Sequence, residues 1–293
     1  MKNALLLFIM TAQLSAAQAV QDSMVNTSEK NTAVTYGLVA YSGATVYLQY
    51  HWWWEGNYHA FRSENDGFWD NYSLGVDKVG HFYTSYLYFS VAHEFFRWAD
   101  YDEETSMWLA ILFPAFHALS IEIGDGFSTY AYSNVDLVAN SLGIGYGILQ
   151  TKIPFFNNFT FKWSYYPSGI IPFDGRFRIT DDYDGHIYWL SADIYQLLPA
   201  SMQEYYPRWL SIAVGYGGKN ISGRPSWIGT PISSPGRPER KWAVSFDYNL
   251  MELPMEGGLW NPVKTLLNRF KFPAPGVRKT QGGTEEFVPV ILH

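Results

Sequence analysis

The sequence predicts an α+β chain, an apolar four-helix module followed by a β-rich C-terminal module. Two observations carry that expectation. Between residues 32 and 151, apolar stretches of helical length are separated by capping and turn residues. After Pro154 the pattern changes period: Phe159, Phe161, Trp163 and Tyr165 alternate with Thr160, Lys162, Ser164 and Tyr166. A period of two puts alternate side chains on opposite faces of a half-buried strand. A third observation narrows the chemistry. The chain has no Cys, which excludes a disulfide scaffold, a thiolate zinc site, a cysteine nucleophile and a lipidated cysteine.

The first element is an export signal. Lys2 is followed by the apolar run from Ala4 to Leu14 and by Ala17-Gln18-Ala19, a small-x-small cleavage site. Residues 1–19 therefore read as a signal peptide cleaved after Ala19, and the mature chain is expected in the periplasm or an envelope membrane. Residues 20–31 are polar and read as a flexible start.

The helical module is expected over residues 32–156. Its first helix, Thr32 to Tyr50, carries no charged residue over 19 positions, close to the roughly 20 needed to span a bilayer. An aromatic and acidic loop, His51 to Tyr72, follows. The second helix is Asp77 to Trp98, with Asp77 read as its cap. The third is Glu103 to Ile123, introduced by an acidic turn that suits the helix dipole and kinked by Pro114. The fourth is Val135 to Thr151, capped by Ser133 or Asn134.

The β-rich module is expected over residues 157–293. Beside Phe159 to Tyr166, alternation marks Leu210 to Tyr216 and Trp242 to Tyr248. Short helices are expected over Ala192 to Tyr205 and Pro262 to Phe270, the latter with Asn261 as cap and Pro262 in its first turn. Ser222 to Arg240 reads as an exposed Pro/Gly/Ser loop. The strands are too few for an outer-membrane barrel.

Charge and composition bound the partners. With 20 Lys+Arg against 27 Asp+Glu, the net charge is −7, so nucleic acid is an unsuitable partner. Aromatic residues make up 18% of the chain. Such rings collect where one end is apolar and the other wet, so a membrane lipid is the expected partner.

Against this apolar background a few polar residues stand out. Asp77 and His81 are four apart, with Lys78 between them, and share a helical face. Glu122 and Asp125 close the third helix. Ser133, Asp136, Asn140, Gly143 and Gly147 follow on the fourth, the last four along one stripe whose glycines let another helix approach. Charges in an apolar bundle are costly unless paired, so Asp77, Lys78, His81, Glu122, Asp125, Ser133, Asp136 and Asn140 are expected to converge. Three readings are open: a structural polar network, a ligand or headgroup site, and a general-base site. No second His stands at ligand spacing, so no metal and no cofactor is expected, and no catalytic residue is assigned. His51, His59, His186 and His293 have no partner spacing. Asp181-Asp182-x-Asp184-Gly185 reads as a solvated acidic turn rather than a calcium loop.

The run Asp77-Lys78-x-x-His81, then Glu122-x-x-Asp125, then Ser133-x-x-Asp136-x-x-Ala139-Asn140-x-x-Gly143 resembles the YfiM-like family of bacterial envelope proteins, labelled predicted periplasmic lipoproteins. The same skeleton is similar to the VanZ-like membrane proteins. The resemblance covers about residues 75–150 and implies an envelope location. It carries no established reaction, and the lack of Cys departs from the lipoprotein label. The expected role is that of a membrane-associated structural or lipid-interacting component. The alternative is a hydrolase or transferase acting on a lipid or cell-wall intermediate through His81, Asp77, Glu122 and Asp136.

Overall fold

The computed structural model describes residues 29–169, 178–221 and 236–291. The signal peptide, its cleavage site, His293 and most of the loop from Ser222 to Arg240 lie outside the described residues.

Four long helices lead the chain: α1 (Glu29–Gln49), α2 (Val76–Trp98), α3 (Glu103–Gly126) and α4 (Asn134–Lys152). Helix α1 continues into a wide turn over Tyr50–Trp54. Asp102 caps α3 by accepting from Thr105 N, and Ser133 caps α4 by accepting from Asp136 N. Asp77 is not a cap. The N-cap of α2 is Gly75 at φ 82°, a left-handed conformation that suits glycine. Asn71 organises that turn by accepting from Ser73 N and Gly75 N, which frees the Asp77 carboxylate for other partners.

A six-stranded antiparallel sheet follows, with the strands side by side in chain order. They are β1 (Phe159–Tyr165), β2 (His186–Ala192), β3 (Leu210–Lys219), β4 (Glu239–Tyr248), β5 (Ala274–Thr280) and β6 (Glu285–Ile291). Alternation foretold β1, β3 and β4. It missed β2, β5 and β6, whose patterns are interrupted by Ser191, by Gly276 with three consecutive polar residues, and by Pro289. The expected helix over Ala192 to Tyr205 is only two single turns, Ile194–Leu197 and Ala200–Gln203. Helix α5 (Trp260–Asn268) starts earlier than expected, with Leu259 rather than Asn261 at the N-cap and Pro262 within the first turn.

The acidic turn is not solvated. Asp182 and Asp184 are buried, Asp182 accepting from Tyr165 OH and Ser168 N, and Asp184 from Ile221 N. His186, which lacked any spacing signal, is buried between Trp163 Nε1 at 2.8 Å and Ile179 O at 2.7 Å.

The helical core gathers Val34, Phe89, Ala92, Phe96, Met107, Ala110 and Ile144. The inward face of the sheet packs Ile187, Trp189, Ala213, Ala243 and Ile291. The free edge of β1 is covered by the residues after α5: Trp163 N donates to Arg269 O and Lys271 N to Trp163 O. Helices and sheet meet along α2, where Phe82 stacks edge-on against Phe161 and Tyr83 OH donates to Arg269 O. The glycine stripe of α4 faces α2 as expected. A Cβ at Gly143 would collide with the Phe82 carbonyl, and one at Gly147 with the Phe89 ring.

Candidate functional site: a buried ion cluster

Lys78 is the centre. Its side chain is 1% exposed, and its ammonium is held by Asp66 at 2.5 Å, Asp136 at 2.6 Å and Asp77 at 3.0 Å. An ammonium has three donors and no acceptor; this one donates a hydrogen bond to Asp77 Oδ2 and makes close ion pairs with Asp66 and Asp136. Each carboxylate arrives from a different part of the chain: the loop before α2, α2 itself and α4.

The loop carboxylate is brought in by a short parallel pairing, Ser63–Glu64 with Tyr132–Ser133. Ser133 Oγ then donates to Asp66 Oδ1 at 3.0 Å. Ser133 N donates to Glu122 Oε2 at 2.8 Å, tying in the end of α3. The β module joins through Tyr183, whose OH donates to Asp77 Oδ1 at 2.8 Å. Tyr72 OH lies 3.3 Å from Tyr183 OH.

His81 sits at the rim, its side chain 18% exposed. Its Nε2 is 3.6 Å from Asp77 and 3.9 Å from Asp136. Its Nδ1 is 3.3 Å from Asn140 Nδ2, and Ser85 Oγ donates to Asn140 Oδ1 at 2.9 Å. Of the eight residues expected to converge, seven do so. Asp125 stands apart: it accepts from Trp54 Nε1 at 2.7 Å and contacts neither Lys78 nor His81 within ion-pair distance. Asp66, Tyr72, Ser85 and Tyr183 are members that spacing did not reveal. Ser85 lies four beyond His81 on the same helix face, a signal that was available. Asp66 and Tyr183 are in loops, where no periodicity ties them to the helices.

The electrostatics follow from burial and crowding. Burial works against the Lys78 ammonium, but Asp77 and Asp136 outweigh it and hold its pKa above the ordinary range. Burial also opposes ionisation of Asp77, yet Lys78 and His81 pull it down to about 2. For His81, burial is overcome by Asp136, Asp77 and Glu122, which raise it to about 9. Burial, only partly offset by His81, pushes Glu122 up to about 7. Burial and the neighbouring Glu122 raise Asp125 well above the carboxylate range.

This arrangement sets limits on the chemistry. An imidazole raised to about 9 is cationic at neutral pH and makes a poor general base. Ligand atoms of Asp77, His81 and Asp136 lie within 4.8 Å of one another, a spacing that could suit a divalent ion. The Lys78 ammonium, however, already occupies the space between the two carboxylates, so a cation there would have to displace it.

Residues 66–152 match a family model described as "Predicted periplasmic lipoprotein (DUF2279)". The match covers less than a third of the chain but runs from Asp66 to Lys152, so it holds every member of the cluster except Tyr183. Its description agrees with an exported, envelope-located chain of uncharacterised activity. No curated protein and no solved structure matches the chain.

Proposed function

We propose that this chain is an exported, non-catalytic component of the bacterial envelope, held to a membrane by the outward side chains of its helices, with the Lys78 cluster locking its fold. The YfiM-like and VanZ-like motif likeness is part of the same proposal.

One observation carries it: on α3 and α4 large apolar side chains face outward while polar ones are buried. On α3, Trp108, Leu112, Leu119 and Ile123 are exposed, while Ser106, His117, Ser120 and Glu122 are buried. On α4, Val138, Leu142 and Leu149 are exposed, while Asp136, Asn140 and Gln150 are buried. Trp108 is 58% and Leu112 57% exposed. A helix packed in water does the reverse, and contiguous exposed apolar surface marks contact with lipid or protein. The sheet supports the same reading. Its registered row Leu190–Val214–Val244–Val277–Phe287 is exposed across five strands, while Lys162, Ser191, Ser245 and Asp247 are buried on the opposite face. Helix α3 is long and apolar enough to cross a membrane by length and composition.

Flotation with phosphatidylethanolamine–phosphatidylglycerol vesicles tests the reading. The full chain should float with the vesicles and resist alkaline carbonate. Leu112→Gln with Leu142→Gln should weaken partitioning at least tenfold, since each buried leucine is worth about 1.5–3 kcal/mol, with the melting temperature unchanged. Wild-type protein that stays with the soluble fraction sinks the proposal.

A further inference from the structure

Away from the ion cluster, a cleft of about 580 Å³ opens where α2, α4 and the residues after α5 meet the edge of the sheet. Its volume falls in the range of small-molecule sites, roughly 300–1,000 Å³. Two cations face it. Lys162 is fully served: its ammonium meets Tyr248 O at 2.7 Å, Asp247 Oδ2 at 2.8 Å and Asn268 Oδ1 at 3.0 Å. Arg269 is not. It is 9% exposed, and its Nε is buried with no hydrogen-bond partner. Its guanidinium lies 4.5 Å over the Tyr86 ring, which fixes its plane without using its N–H donors. Among the described residues, no carboxylate comes within 4.0 Å of it. Glu94 also lines the cleft, beyond ion-pair distance. Burial, against the pull of Arg269 and Arg97, raises its pKa.

We infer that this cleft binds a small organic anion, an oxyanion group seated on Arg269 with a polar body on the surrounding amides. A guanidinium offers a rigid fork of donors that matches a carboxylate or phosphate. A buried cation with unused donors is costly to keep, and a ligand oxyanion relieves that cost. The body of the ligand is polar because Asn157, Asn158 and Gln196 line the cleft. Among the described residues, their side chains make no hydrogen bond to the protein. This inference does not depend on membrane attachment.

Calorimetric titration of the full chain with inorganic phosphate, glucuronate and glucose tests it. Saturable binding of phosphate, of glucuronate or of both is expected, with none of glucose; which anion binds identifies the oxyanion. Arg269→Gln should weaken that binding at least tenfold. Thr160 also lines the cleft, and Thr160→Glu, which places a negative charge on its wall, should do the same if Arg269→Gln does not fold. Absence of binding by both anions, equal binding of glucose, or binding unaffected by Thr160→Glu overturns the inference.

Discussion

Lys78 on α2 and Arg269 packed against that helix are two buried cations, at 0% and 9% exposure, and they differ in what surrounds them. Three carboxylates from three segments close on Lys78, whereas Arg269 has an aromatic ring beneath it and an open cleft before it. A buried charge whose partners all come from the chain is spent on holding the chain together. One left with free donors at a cleft is available for something that arrives from outside. Sequence composition cannot tell these cases apart, because the difference lies in partners rather than in residue type.

The largest expected effect breaks the first half of this comparison. Lys78→Met removes the ammonium and leaves Asp66, Asp77 and Asp136 facing one another, which should cost about 3–5 kcal/mol. That is a large part of a typical stability of about 5–15 kcal/mol. Denaturant midpoints in mild detergent would measure it, and a loss below about 1 kcal/mol would show that the cluster does not hold the fold.

A pH titration of stability is the next most informative. Glu122 is raised from 4.5 to about 7, so its contribution is present below 4.5 and lost as pH rises through 7. His81 is raised from 6.5 to about 9, so its contribution is full below 6.5 and lost as pH rises through 9. Asp77 is lowered from 3.8 to about 2, so its share is present above 3.8 and lost as pH falls through 2. Glu122→Gln should therefore remove the share of Glu122 in the decline between pH 4.5 and 7, worth on the order of 1–3 kcal/mol, and leave the share of Asp125 and the decline toward pH 9 in place. An unchanged profile would mean that Glu122 does not carry that proton.

The pair His81 and Asp136 sharpens the picture further. Their 3.9 Å separation predicts a double-mutant coupling between His81→Ala and Asp136→Ala of about 0.5–3 kcal/mol, read from thermal melts; strict additivity would separate the imidazole from the cluster. Smallest of all should be the stability cost of Arg269→Gln. It strands no carboxylate and forfeits mainly the stack on Tyr86, about 1 kcal/mol. A cost comparable to Lys78→Met would turn Arg269 from a recognition group into a structural one.

Much of the helical half was legible in advance because its signals are local. The acidic turn that opens α3, capping at Ser133, the four-residue spacing of Asp77 and His81, and the Gly143–Gly147 stripe each act within a turn or two of helix. Asp77 misled as a cap because it sits in the first turn, while Asn71 and Gly75 had already closed the N-terminus. Strands β2, β5 and β6 were missed because the partner strand, rather than a clean alternation, makes them.

By itself the sequence determined the α+β order of the chain, the placement of four apolar helices, and the set of polar residues that had to find one another. These follow from periodicity, capping and the cost of an unpaired charge, all of which act on neighbours along the chain. Tertiary structure alone decided that Asp66 and Tyr183 complete the cluster, that Asp125 turns to Trp54, and that Arg269 is left facing the cleft. Those outcomes depend on which distant segments come within a few ångströms, and no local spacing encodes that distance.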